Sequence, residues 1–187
     1  MATLTQNLTI DAAGWLADVN RIDSPNFAER PAGTTPSLLV IHNISLPPGQ
    51  FGGPYVAEFF CNRLDCNAHP FFKEIEGMTV SAHLLIDRHG EITQFVSFAD
   101  CAWHAGVSVF EGRERCNEYS IGVELEGVDD LPYTSFQYAA LTRVTQQIML
   151  RYPDITRERI VGHSDIAPGR KTDPGPAFGW QRYLRGL

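Results

Sequence analysis

Near the C-terminal end, residues 162–176 read GHSDIAPGRKTDPGP, which places an imidazole, an ammonium and a carboxylate (His163, Lys171 and Asp173) in one short segment. Proline and glycine punctuate it so densely that neither a helix nor a strand is expected to run through it, leaving a shaped loop whose side chains can converge. His163 and Asp173 could share a metal ion, as at the rim of a metal hydrolase. Lys171 would then sit two residues from a ligand. A positive charge is unfavourable there unless it serves negative charge that develops during a reaction.

A catalytic zinc ion takes three protein ligands from His, Asp, Glu or Cys and keeps a fourth position for water, so one ligand must come from elsewhere. His42 is the best candidate. Leu38-Leu39-Val40-Ile41 is the continuous apolar run of a buried strand, and the chain turns polar immediately afterwards at His42-Asn43. The end of such a strand is where an open α/β sheet offers its site. Among the other imidazoles, His69 precedes Pro70 in a loop and His89 lies in the turn Asp87-Arg88-His89-Gly90. His83 alternates within a strand-like segment and reads as a hydrogen-bonded core histidine. His104, between Trp103 and Ala105-Gly106, suits a pocket wall as well as a ligand and remains the rival to His42.

Glu124 is the carboxylate available for proton transfer. In the alternating segment Tyr119 to Gly127, Ile121, Val123 and Leu125 share one face, while Ser120, Gly122, Glu124 and Glu126 share the other. Gly122 leaves room for a group to approach that second face. The alternative for Glu124 is a solvated edge charge, a reading that fits Glu126 well.

The elements that must position these residues follow from pattern. Trp15 to Ile22 is read as a short strand, with a helical turn as its alternative, Ser24 to Pro36 as a loop and residues 37–42 as the buried strand. Leu46 to Pro54 is a loop on turn chemistry, and Tyr55 to Arg63 a helix. Val80 to Asp87 and Glu91 to Ser97 form a hairpin about Gly90. Thr134 can cap a helix from Ser135 to Tyr152, with Leu141, Val144 and Ile148 at helical spacing and Pro153 stopping it. Ile160-Val161-Gly162 leads into the rim loop, and Trp180 to Leu187 closes the chain as a helix. Strands interleaved with helices predict an α/β fold, a single domain over residues 1–187 (core about 15–180) with a central mixed β-sheet flanked by α-helices.

The chain has 187 residues, 43% hydrophobic and 20% charged, with a formal net charge of -7. That suits one globular core. The negative charge and the lack of a Lys/Arg stripe argue against nucleic acid as a partner. No apolar run approaches the roughly 20 residues of a membrane span. Met1 to Asn7 lack a leader pattern, and a cytoplasmic protein is expected. The four cysteines form no Cys-x-x-Cys pair, so they are read as structural or incidental thiols.

Val40-Ile41-His42-Asn43, Ser81 to Ile86, Trp103-His104-Ala105-Gly106, Ser120 to Gly127 and Gly162 to Pro176 together resemble the zinc-dependent N-acetylmuramoyl-L-alanine amidases, a family that includes phage amidases and peptidoglycan recognition proteins. Asn43 to Pro54 and Arg113-Glu114-Arg115-Cys116-Asn117 resemble its cytoplasmic wall-recycling branch, which acts on 1,6-anhydromuropeptides. The resemblance implies one Zn2+ per chain held by His42, His163 and Asp173, with Glu124 and Lys171 at the catalytic positions. It also implies substrate contacts from Asn43, Trp103 and Arg115, the last of which has a solvated charge as its alternative. Many relatives carry Cys where this chain has Asp173, and the oxygen ligand points to the recycling branch. The implied reaction is hydrolysis of the bond between the lactyl group of (1,6-anhydro-)N-acetylmuramic acid and L-alanine, indirectly lowering β-lactamase induction. The implied partner is an anhydromuropeptide, with no obligate protein partner. The alternatives are a wall-lytic amidase on polymeric peptidoglycan and a non-catalytic muropeptide-binding module.

Overall fold

The computed structural model describes residues 8–187, so the leader reading made on Met1 to Asn7 lies outside the described residues. In chain order the strands are β1 (Asn20–Arg21), β2 (Phe27–Glu29), β3 (Leu38–Ile44), β4 (Leu84–Ile86), β5 (Ile92–Gln94), β6 (Asp100–Ala102), β7 (Val109–Phe110), β8 (Arg113–Glu114), β9 (Ser120–Glu126) and β10 (Ile160–Gly162). The helices are α1 (Tyr55–Phe60), α2 (Ser135–Arg151), α3 (His163–Ile166) and α4 (Trp180–Leu184).

The main sheet has the order β1-β5-β4-β9-β3-β10. Its centre is parallel: β9 lies between β4 and β3, and β10 flanks β3, all in one direction. β5 turns back antiparallel on β4 as the hairpin, which makes the sheet mixed. β3 and β9 are the long strands because both of their faces are covered. Leu38 through His42 are buried, and all seven residues of β9 are. Parallel strands covered on both sides are expected to read as apolar runs, and β9 departs from this at Ser120, Gly122, Glu124 and Glu126.

One face carries Leu39, Ile41, Leu84, Ile86, Ile121, Val123 and Leu125, against which α2 lays Leu141, Val144 and Ile148. Fully burying each such side chain contributes about 1.5–3 kcal/mol. Thr134 accepts the backbone N–H of Gln137, and the Gln137 side chain accepts the Thr134 N–H, a capping box that fixes where α2 begins. On the other face, Leu38 and Val40 pack with Ala105, Cys116, Tyr119 and Ile166. Further along β3 and β9 this face turns polar, at His42 and Glu124.

Several sequence expectations need correction. Of Trp15 to Ile22 only Asn20–Arg21 pairs as a strand, beside β5. The loop Ser24 to Pro36 contains β2, which pairs antiparallel with β6. α1 stops at Phe60 rather than Arg63. The rim segment does support one helical turn, α3, before its prolines begin. Asp165 accepts the N–H of Gly162 at 2.7 Å and so stabilises that turn from its first residues. Glu126 is not a solvated edge charge. It is buried and accepts the N–H groups of Gly52 and Arg88, so its carboxylate ties the Leu46 to Pro54 loop to the β4–β5 turn. All four cysteines are free thiols, as expected. Among the described residues no helix is long and apolar enough to cross a membrane.

Candidate metal centre

The site grows out of strand register. Gly162, the last residue of β10, is paired with Ile41 in β3, so the residues that follow them, His163 and His42, come side by side. Asp173 is brought to them by the rim loop, whose closure is fixed by a hydrogen bond from the Ser164 N–H to the Asp173 carbonyl at 3.0 Å. Gly162 also permits the approach of the returning chain, since a Cβ there would come within 2.8 Å of Pro174 Cδ.

His42 Nδ1, His163 Nδ1 and Asp173 Oδ2 form a triangle with edges of 2.9, 3.0 and 3.1 Å. Among the described residues this is the group of His, Cys, Asp and Glu side chains arranged so that it could hold a metal ion. Ligand atoms of a tetrahedral zinc with bonds of about 2.0–2.1 Å stand roughly 3.3 Å apart, so the triangle fits such an ion with little adjustment. The proton pattern fits as well. His163 Nε2 faces the Ala105 carbonyl at 3.1 Å, and a carbonyl can only accept. Hence Nε2 carries a proton, and in the singly protonated ring Nδ1 presents a lone pair to the triangle. Burial pulls the His42 imidazolium down to about 4, which keeps that ring neutral near pH 7. For Asp173, burial pushes upward as the largest single influence, but the adjoining His163 and His42 imidazoles outweigh it and hold the carboxylate ionised well below its ordinary range.

Glu124 is the register partner of His42 on the adjacent strand. Its side chain is buried, and its Oε2 has no hydrogen-bond partner within the protein. Burial, reinforced by the nearby Asp173 carboxylate, raises its pKa well above the ordinary glutamate value, and the Lys171 ammonium offsets part of that rise. Lys171 itself is exposed on the rim loop, its backbone N–H donated to the Ala167 carbonyl. A raised carboxyl pKa beside a cluster of this kind suits general acid/base work near neutral pH.

The other histidines separate cleanly. His83 is fully buried: its Nδ1 accepts the Gly122 N–H at 3.0 Å, so its proton sits on Nε2, which donates to the Asp100 carbonyl. That is the core histidine expected. His104 lies behind the triangle, its Nδ1 2.9 Å from His42 Nε2 and its Nε2 3.1 Å from Ser120 Oγ. Neither of its nitrogens faces Asp173. The room left by Gly122 is therefore filled by His104 and not by a ligand.

Of the residues named for substrate contact, Asn43 follows His42 directly. It donates both amide hydrogens, to Asp129 at 2.8 Å and to the Pro174 carbonyl at 3.1 Å, leaving Oδ1 as its open group. Trp103 is half-buried at the end of β6, with its backbone paired to Ser81. Arg115 is not brought to the triangle. Its side chain is 79% exposed and paired with Glu118 at 2.8 Å. Sequence reasoning missed Asp129, which holds Asn43, and Arg170, whose guanidinium binds the carbonyls of Ala105 and Val107. It also missed Tyr133, whose hydroxyl donates to the Pro174 carbonyl at 2.7 Å. Local sequence carries no signal for these, since each acts across 41 or more residues. An open cleft of ≈ 490 Å³ is lined by Asn43, Leu46, Phe71, Met78 and Val128 to Asp130.

Residues 32–176 match the N-acetylmuramoyl-L-alanine amidase family. The chain is 57% identical over 170 residues, 91% of this chain and 92% of the other, to the 1,6-anhydro-N-acetylmuramyl-L-alanine amidase AmpD of Escherichia coli strain K12. It superposes on the crystal structure of a selenomethionine AmpD derivative with a TM-score of 0.94 at 53% identity, covering 96% of this chain and 99% of that one. It also resembles AmpDh3 of Pseudomonas aeruginosa, solved in complex with an anhydromuramic pentapeptide, with a TM-score of 0.60 at 30% identity, covering 96% of this chain and 66% of that one.

Proposed function

From its membership of the N-acetylmuramoyl-L-alanine amidase family, to which this chain belongs, we propose that it hydrolyses the amide bond between the lactyl group of (1,6-anhydro-)N-acetylmuramic acid and L-alanine, with one zinc ion held by His42, His163 and Asp173. The observation that carries the reading is the triangle of two imidazole nitrogens and one carboxylate oxygen, with Glu124 buried beside it as the register partner of His42. The 1,6-anhydro form of the substrate is supported by the relatives, one named for it and another solved with an anhydromuramic peptide.

A zinc ion at this triangle supplies Lewis acidity toward the amide carbonyl and lowers the pKa of a bound water toward ~7. The residues do the rest. Glu124 takes a proton from the attacking water and delivers it to the departing nitrogen. The C–N bond breaks as the C–O bond forms, yielding a lactyl carboxylate and the free amine of L-alanine. Lys171 stabilises the negative charge that develops on the carbonyl oxygen. Asn43 Oδ1 accepts a stem-peptide N–H, Trp103 lines the groove, and Arg115 swings from Glu118 to receive a peptide carboxylate with its two-pronged fork.

The reaction belongs to cytoplasmic peptidoglycan recycling, where removal of anhydromuropeptides indirectly lowers β-lactamase induction. Mass spectrometry of products from anhydromuropeptide and from intact sacculi tests the reading. Free stem peptide released from the former alone supports it, and release from sacculi favours a wall-lytic amidase. Binding without cleavage of either substrate would leave only a muropeptide-binding module.

A further inference from the structure

The second ring behind the metal triangle has a geometry that the proposed reaction does not use. His42 is 1% exposed, and its two nitrogens point opposite ways: Nδ1 to His163 and Asp173, Nε2 to His104. The His104 ring stands nearly perpendicular to it, with interplanar angle 85° and centroids 5.0 Å apart. Its own far nitrogen meets the hydroxyl of Ser120, which is fully buried. Three buried groups are thus threaded in one line, from the triangle to the backbone of β9.

The position of His104 is fixed from three sides. The N–H groups of His104 and Ala105 both donate to Asn117 Oδ1, at 3.2 and 2.8 Å. The ring lies against Gly122, where a Cβ would come within 2.4 Å of its Cγ and 2.5 Å of its Nδ1. Ser120 is held in turn by Arg30, whose guanidinium donates to the Ser120 carbonyl at 2.9 Å. Ser120 and Gly122 stand on the same face of β9 as Glu124, so the strand that carries the proposed acid/base also carries the seat for this ring.

We propose that His104 is a positioning residue for the metal centre, holding His42 in the Nε2–H tautomer through the chain His42 to His104 to Ser120 so that the Nδ1 lone pair is aimed at the ion. The inference rests on the metal reading given above. A neutral imidazole that offers Nδ1 to a cation must carry its proton on Nε2, and for His42 that proton has one acceptor, His104 Nδ1. His104 must then be protonated on Nε2, and Ser120 Oγ must accept. Every link has a single allowed direction once the ion is bound. Without the ion the chain can run either way, because Ser120 can donate as readily as accept. Such outer hydrogen bonds orient a ligand and raise its basicity, and their loss typically lowers metal affinity about 10–100-fold.

The test measures zinc affinity by competition with a chromophoric chelator, in wild type, His104→Phe, His104→Asn and Ser120→Ala. His104→Phe keeps a planar ring but accepts nothing, and is expected to weaken zinc binding about 10–100-fold. His104→Asn, whose Oδ1 can replace Nδ1 as acceptor, should recover most of the loss, and Ser120→Ala should fall between. Nitrogen NMR of the zinc-loaded wild type should find His104 protonated on Nε2, a readout that does not depend on any variant folding. Unchanged zinc affinity in folded His104→Phe, or His104 protonated on Nδ1 in the loaded protein, overturns the role of His104. Failure of the wild type to bind zinc overturns the metal reading itself, a separable outcome.

Discussion

His42 and Glu124 are register partners on the parallel strands β3 and β9, with side chains on the same face of the sheet. Neighbouring strands lie about 4.8 Å apart, so a proposed metal ligand and a proposed proton carrier are set side by side by backbone hydrogen bonds alone. No loop has to close to bring them together. Five predictions follow from that arrangement and from the residues around it.

Glu124→Ala should retain stoichiometric zinc, measured by metal analysis, because the carboxylate is not one of the three converging atoms. Turnover should fall by about 100-fold or more, in the range general acid/base catalysis supplies. Full activity in this variant would remove Glu124 from the mechanism.

Metal-free Glu124→Gln should be more stable than metal-free wild type at neutral pH. The glutamate pKa is raised in the fold by burial and by Asp173, so only the unfolded chain releases that proton freely as pH rises above the ordinary value of about 4.3. The wild type therefore loses stability relative to the variant above that pH, and the two converge below it. A thermal shift series from pH 4 to 8 reads the difference, at roughly 2–4 °C per kcal/mol for a chain of this size. A pH-independent gap would show that the carboxyl is not the cause.

His42→Ala should lower zinc content, since it deletes one corner of the triangle. His104→Ala, assayed with zinc in excess, should not, because its nitrogens face His42 and Ser120. Metal loss in the second variant alone would reverse the ligand assignment. Lys171→Ala should leave metal content unchanged and reduce kcat by about 100-fold, the typical effect of losing one donor to a developing oxyanion.

Gly122→Ala should destabilise the protein by about 1–3 kcal/mol, the usual cost of overpacking, because its new Cβ would overlap the His104 ring. Denaturant melts of the metal-free protein measure this, and a neutral result would show that the ring has somewhere else to go.

Local pattern alone singled out the candidate reacting groups and the scaffold's outline. The apolar run before His42, the alternation around Glu124 and the capped helix from Ser135 are local patterns, written in residues a few positions apart, and periodicity reads them directly. Loop composition did the same for the segment carrying His163, Lys171 and Asp173. Which groups meet emerges only in three dimensions. Glu126 alternates in step with Glu124 and looks identical in pattern, yet one is tied to Gly52 and Arg88 and the other keeps a buried oxygen with no partner in the protein. Gly122 signals an approaching group without naming it, and the group proved to be His104 from 18 residues upstream. His42 and His104 were rivals in sequence because both are histidines beside small or apolar residues. They part in space because the β3–β10 register sets His42 beside His163, while Ser120 and Gly122 turn His104 away. Local pattern fixes which face of an element is polar, but contact across strands depends on register and on the packing of segments remote in sequence, which no local spacing encodes.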